Sequence, residues 1–418
     1  MRPISGGIDF GTSNSTVGIV ENGKPRLVAL EGQHVTLPSA VFFNFEDGWA
    51  YYGRRAIDDY TAHTEGRLMR ALKSVLGTAL IHEKTRIKTH AIAFSDILGG
   101  FVGHLKRRLE EARGKAVDHV VLGRPVHFVD EDAAADTEAQ HELEKVARAQ
   151  GFRHIAFQFE PIAAALDYEQ SVRREELALI ADIGGGTSDF SIVRVSPDRA
   201  KAADRRDDIL ANAGVHVGGT DFDRLLSVDK VMPELGYLTP TKDGKRNLPV
   251  SYFFDLATWQ RINLLYSNKA MTALKQMRYE AARPELVERM IDIVRHRQGH
   301  QLAGKVEAAK VALTLQGEAR IQLPLTDEQL DIPVTAEDLD HAIEGAVDRI
   351  AETAAGTIRS AGLTPSRIGT IFLTGGSTAV NLVRRRILEA APEARVVDGD
   401  MFGSVGLGLA LDAERKFN

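Results

Sequence analysis

Apolar residues in the first fifty positions come in short runs broken by turn residues, not in helical stripes. Ile4 to Phe10 is apolar and glycine-flanked, and Thr16 to Val20 and Pro25 to Leu30 stand either side of Glu21-Asn22-Gly23. Asn-Gly between apolar runs tolerates positive φ at both turn positions, which predicts a tight hairpin. A second hairpin is expected from Ala40 to Phe45 and Ala50 to Gly53, turning at Glu46-Asp47-Gly48. The period then changes. Between Asp96 and Glu111, Ile97, Phe101, Leu105 and Leu109 recur at four, the stripe of an amphipathic helix. A buried strand is expected at His119 to Leu122, a helix at Asp130 to Gln150 and a strand at Ile155 to Phe159. Strands alternating with helices predict an α/β fold with a largely parallel sheet.

The opening pattern returns from Leu177 to Val195. From Asp9 the chain reads DFGTSNSTVGIV and from Asp182 it reads DIGGGTSDFSIV, with five identities in twelve positions. Each window is the only strand, Gly-rich turn and strand of its half, which predicts an internal duplication into two related lobes. A third glycine turn, Thr374-Gly375-Gly376-Ser377, follows a strand and precedes a helix carrying Val380, Leu382, Val383 and Ile387. Residues from about 227 to 300 read as largely helical, and residues 388 to 418 as a Gly-rich helix (Ser404 to Ala410) and a charged tail.

Apolar residues make up 44% and charged residues 26% of the 418, an ordinary globular balance that excludes fibrous and disordered classes. The net charge of −6 argues against coating nucleic acid. The absence of cysteine excludes disulfides, thiolate metal sites and cysteine nucleophiles. No run of eighteen apolar residues occurs, so no membrane role and a soluble, cytoplasmic protein are expected.

Asp-x-Gly-Thr-Ser between two strands has a chemistry of its own. Glycine lets backbone N–H groups approach an anion and the hydroxyls add donors, so the turn can cradle phosphate. An aspartate at the strand end repels phosphate unless a cation stands between them, and Mg²⁺ prefers oxygen ligands while keeping several waters. Two such loops and a third glycine turn suit Mg²⁺–nucleotide clamped between two lobes. The alternative is a set of tight glycine turns with capping aspartates.

Five colinear blocks resemble the actin-like ATPase superfamily and, within it, the seventy-kilodalton heat-shock protein chaperones. They are Gly7-Ile8-Asp9-Phe10-Gly11-Thr12-Ser13-Asn14-Ser15, Phe159-Glu160-Pro161-Ile162-Ala163-Ala164-Ala165, Ala181-Asp182-Ile183-Gly184-Gly185-Gly186-Thr187-Ser188-Asp189, Val217-Gly218-Gly219-Thr220-Asp221-Phe222-Asp223 and Leu373-Thr374-Gly375-Gly376-Ser377-Thr378. The resemblance implies the actin-like ATPase fold. Lobe I would span 1–174 with an outer part at about 36–94. Lobe II would span 175–397 with an outer part at about 218–335, and 398–418 would form a helix returning to lobe I. It implies ATP or ADP with Mg²⁺, and K⁺ as an optional companion ion.

It also implies a role for each matching residue. Asp9 and Asp182 would hold Mg²⁺ through its waters. Gly11, Thr12, Ser13 and Asn14, with Gly184, Gly185, Gly186 and Thr187, would bind phosphates, and Gly218 and Gly219 would also line the nucleotide. Glu160 or Asp189 would orient the attacking water, beside Thr187. Lys73, in Lys73-Ser74-Val75-Leu76-Gly77, would offset charge on the phosphoryl group, or else be a solvated surface lysine. Glu307 and Lys310, three apart, would grip the ribose, or else form a surface ion pair. Gly375, Gly376 and Ser377 would line the base.

Departures from the family pattern accompany these matches. Val311 and Ala379 stand where arginines would sandwich adenine, which puts base specificity in doubt. The segment from about 227 to 300 is an insertion and an expected surface for co-chaperone or client proteins. Only eight residues follow Ala410, so no peptide-binding domain is expected. An actin-like filament protein and a small-molecule kinase of the same superfamily are the competing functions. Simpler readings attach to the rest: His296 and His300 lack a third metal ligand, and Arg384-Arg385-Arg386 is a charged helix face. Gly406-x-Gly408-x-Ala410 signals close helix packing, and Tyr252, Phe253, Phe254, Trp259 and Tyr266 are expected to form the core of the insertion, or else a partner surface.

Overall fold

The computed structural model describes residues 3–129, 132–169, 172–199, 202, 204–400 and 403–417. The chain divides into two compact units. One comprises Met1–His216, Ala351–Thr378 and Ile387–Asn418, and the other Val217–Ile350 and Ala379–Arg386.

The first unit opens with β1 (Ser5–Phe10), β2 (Asn14–Glu21), β3 (Lys24–Leu27) and β4 (Thr36–Pro38). The β2–β3 turn is Asn22-Gly23, both at positive φ, as the Asn-Gly signal predicts. A strand-rich outer segment follows: β5 (Ala40–Asn44), β6 (Ala50–Tyr52), α1 (Gly53–Thr61), β7 (Gly66–Arg70), β8 (Lys84–Ile87) and β9 (His90–Ala93). Next come α2 (Phe94–Arg113), β10 (His119–Arg124), α3 (Ala133–Ala149), β11 (His154–Phe159) and α4 (Glu160–Glu169). Helix α3 starts later than the expected Asp130, and Asp130 and Glu131 lie outside the described residues. Asp132 is the cap, its side chain accepting from the N–H groups of Ala134 and Ala135.

The second half repeats the plan with β12 (Glu176–Ile183), β13 (Ser188–Val195) and β14 (Ile209–Val215). In the first sheet the order is β11-β10-β1-β2-β3, with β1, β10 and β11 parallel and β2 and β3 antiparallel.

The second unit holds α5 (Gly219–Leu226), α6 (Ser251–Ala257), α7 (Asn268–Glu280), α8 (Pro284–Arg295), α9 (Gly299–Gln316) and a hairpin of β15 (Glu318–Pro324) and β16 (Gln329–Thr335). In the hairpin Ile321, Leu323, Leu330, Ile332 and Val334 alternate inward. Residues 227 to 300 are largely helical, with short π and 3-10 pieces and a turn-rich stretch at 236–250. Phe253 is fully buried there, while Tyr252, Phe254, Trp259 and Tyr266 are half-buried. His300 donates from Nε2 to the Trp259 carbonyl while His296 faces Asp292, so the two rings do not share a ligand. Helix α10 (Ala336–Ser360) leads to β17 (Thr370–Thr374), α11 (Asn381–Leu388), β18 (Arg395–Asp398) and α12 (Ser404–Phe417). Arg385 and Arg386 on α11 face Asp340 and Asp348. The second sheet is therefore β14-β13-β12-β17-β18, with β12, β17 and β18 parallel. Its five strands repeat the order of the first sheet, to which β4 adds by pairing with β2, and this is the duplication expected from the two glycine loops.

Within the first unit α12 packs on β1, β2, β10 and α4. At Gly408 a Cβ would lie 1.8 Å from the Ala163 carbonyl oxygen, so only glycine fits where α12 crosses α4. The expected charged tail is instead the last turn of α12. Buried Asp412 pairs with Arg415 and Lys416 and accepts from Gln158. These i+3 and i+4 pairs, with Phe417 packed on His119, carry the helix on. Asn418 lies outside the described residues.

Candidate functional site

Asp9 ends the apolar run of β1, and Asp182 occupies the matching place on β12. Gly11, Thr12 and Ser13 form the β1–β2 loop, with Asn14 exposed at its end. The loop is held by Ser39, whose Oγ donates to the Gly11 carbonyl at 2.6 Å and lies 3.0 Å from the Ser15 Oγ. The matching loop, Gly184, Gly185, Gly186 and Thr187, is closed by a 2.9 Å bond from Gly184 N–H to the Thr187 carbonyl. Ser377 of the third turn donates to the Gly184 carbonyl at 3.0 Å, which ties the second and third glycine turns together. Gly375 sits at φ +85°, and a Cβ there would lie 2.6 Å from Asp182 Oδ1 and 2.4 Å from the Ile183 carbonyl oxygen. Its missing side chain leaves Asp182 room.

Lys73 lies in a 3-10 turn, Leu72–Val75, entered through Ala71 in the left-handed region. It is not a surface lysine. Its side chain is 10% exposed, and Nζ donates to Glu160 Oε1 at 2.5 Å. Glu160 is the first residue of α4, where the helix N-terminus favours a negative charge. Burial pulls the Lys73 ammonium down, but Glu160, Asp9 and Asp189 outweigh it and hold it above its usual value.

The acids feel the opposite force. Burial, then Glu160 and Asp182, push the Asp9 carboxyl up to about 8 against the pull of Lys73. Burial, then Asp189 and Glu160, push Asp182 up to about 7. Asp189 is exposed to solvent, yet the protein packed around it raises its carboxyl, while a hydrogen bond from Thr187 pulls it down. Four carboxylates thus surround one ammonium, and this surplus of negative charge fits an oxygen-seeking divalent cation. Among the described residues no three of them bring ligand atoms within 4.8 Å of one another.

In the second unit Gly218 N–H donates to Asp221 Oδ2 and Gly219 begins α5. Lys310 on α9 reaches this turn. Its Nζ donates to the Gly219 carbonyl at 2.9 Å and pairs with Asp223 at 2.8 Å, while Glu307 is exposed. The ion pair of Lys310 is therefore with Asp223 across two helices. Sequence reading missed Ser39 and the partnership of Lys73 with Glu160, since neither has a local spacing that announces it.

The repeated sheets and paired glycine turns define a nucleotide-binding protein of the actin-like ATPase fold. A model of the Hsp70 protein family matches residues 5–235, more than half of the chain. The chain belongs to the Hsp70 family, and with membership comes an ATP-binding, chaperone-type function and, in general terms, ATPase activity. Among the described residues no helix is long and apolar enough to cross a membrane.

Proposed function

We propose that this protein is a Mg²⁺-dependent ATPase that works as a nucleotide-driven switch of chaperone type. The observation that carries the reading is one buried lysine among four carboxylates beside two glycine turns. Asp9 and Asp182 would hold hydrated Mg²⁺, which would supply charge neutralisation on the phosphates. Backbone N–H groups at Gly11 to Asn14 and Gly184 to Thr187 bind the phosphates, with the Thr12, Ser13 and Thr187 hydroxyls as added donors. Lys73, pre-positioned by Glu160, meets the negative charge of the transferring phosphoryl group. Asp189 or Glu160 orients the attacking water and accepts its proton. Gly375, Gly376 and Ser377 line the base side, and Gly218, Gly219, Glu307 and Lys310 the ribose side.

Lobe I then comprises 1–174 with its outer part near 36–94. Lobe II comprises 175–397 with its outer part near 218–335, and 398–418 returns to lobe I. The packing of α12 on β1 and β2 and the matched strand orders support this division. The extra segment, 227–300, offers exposed Leu238, Val250, Leu264 and Tyr279 to a client or co-chaperone.

Phosphate release from ATP, followed with Mg²⁺ and with excess chelator, tests the reading. Release that needs Mg²⁺ supports it, and equal rates in both arms contradict it.

A further inference from the structure

A second convergence of ligand side chains lies at the other end of the first sheet. Ser5, not Asp9, is the β1 residue paired with His119, so four residues of strand, about 13 Å, separate this cluster from the Mg²⁺-holding end. His119 opens β10 and His154 opens β11, directly opposite in the parallel register. Their side chains therefore leave the sheet on one face, and the rings stack with centroids 4.1 Å apart. Asp118 precedes them, its carbonyl fixed by the N–H groups of Arg153 and His154 and its Oδ1 2.6 Å from His119 Nδ1. One ligand atom from each of Asp118, His119 and His154 falls within 4.8 Å of the other two.

Two imidazole nitrogens and a carboxylate oxygen are a donor set for borderline cations such as Zn²⁺, Co²⁺ or Ni²⁺, and a poor one for Mg²⁺. The ladder fixes two of the three backbones, so little ordering is left for binding to supply. His119 is mostly covered, its side chain 17% exposed, while His154 is open to solvent, which leaves an entry path and a place for a water ligand. Arg415 and Lys416 of the neighbouring helix pair with Asp412. The parallel rings must splay about χ2, a soft torsion for histidine. Phe417 packs edge-on against His119, so a bound ion would also steady the last turn of α12.

We propose that Asp118, His119 and His154 form a binding site for a divalent transition metal of the zinc type, separate from the phosphate-binding loops. The test uses metal-free full-length protein with MgCl2 present throughout. It is titrated with ZnCl2 by calorimetry and with CoCl2 by visible absorption, and melted with and without Zn²⁺. Wild-type protein is expected to bind one Zn²⁺ saturably, to give a low-coordinate Co²⁺ spectrum and to melt higher with Zn²⁺. His154→Ala and Asp118→Asn each remove a ligand at a solvent-accessible position. Each should weaken Zn²⁺ about tenfold or more, the loss that even an outer partner causes, while the thermal shift with ATP stays as in wild type. Absence of saturable Zn²⁺ binding in wild type overturns the proposal. So does Zn²⁺ affinity left unchanged in both variants, because the ion would then lie elsewhere.

Discussion

Replacing Lys73 with methionine separates the chemistry of the site from its stability. The lysine and Glu160 side chains are 10% and 20% exposed and share a 2.5 Å hydrogen bond. Removing one partner of a mostly buried pair leaves the other charge uncompensated, which costs about 3–5 kcal/mol. The low end applies here, because Glu160 keeps some solvent and can take up a proton. Lys73→Met should therefore lower the melting temperature, and adding Glu160→Gln should restore most of the loss by removing the stranded carboxylate. Catalysis should not follow. A preorganised charge aimed at the transferring phosphoryl group is worth about 10²–10³ in rate, or roughly 2.7–4 kcal/mol at 1.36 per decade. The double variant has lost that charge for good. Thermal melts and steady-state phosphate release on wild type, the single and the double variant give both numbers. A double variant that regains activity together with stability would refute the reasoning, since Lys73 would then be structural only.

Three further outcomes are expected. In chelator, stability should fall as pH rises from about 4 through 7 to 8. Asp9 and Asp182 hold protons in the folded state up to about 8 and about 7, so the native chain binds more protons than the unfolded one. The slope is about 1.4 kcal/mol per pH unit for each proton, and a flat difference between wild type and Asp9→Asn over that range would contradict it. Val311 is half exposed on α9 and carries no charge to stack on a purine, so ATP and GTP at equal concentration should shift the melting temperature by similar amounts. A shift with ATP alone would be against this. Gly408→Ala should destabilise the protein by about 1–3 kcal/mol or more in a urea titration, because backbone of α4 stands 1.8 Å from the added Cβ; an unchanged midpoint would show that α12 can move away.

The features readable along the chain are those that local chemistry dictates. Asn22-Gly23 turns a hairpin, the apolar spacing of α2 buries one face, and the two Asp-x-Gly loops recur because the two sheets share one strand order. The β15–β16 hairpin also carries a signal, the strict alternation through Ile321 and Leu323, that sequence reading does not use. What local pattern cannot carry is partnership across sequence. Lys73 looks like any surface lysine until Glu160, far along the chain, covers it. Lys310 looks paired with Glu307 until Asp223 is seen to lie closer to hand. Glu169 and Arg205 belong to a fully buried ion-pair network with Asp208, partners that lie far apart along the chain or in a short 3-10 turn and that no local spacing announces. The charged end of α12 was hidden for the same reason, since its anchor Asp412 is buried against Gln158.

The central claim is that Asp9 and Asp182 serve the metal and the chemistry, not the fold. Single-turnover hydrolysis of ATP by wild type, Asp9→Asn and Asp182→Asn, with Mg²⁺ and with circular dichroism melts alongside, tests it directly. Both amides relieve a buried carboxyl that is held above its ordinary range, so both variants should remain folded and melt no lower than wild type without metal. Hydrolysis should fall at least about a hundredfold in each, or about 2.7 kcal/mol. Two folded variants that turn over ATP at the wild-type rate would place the reaction somewhere other than between these two strand ends.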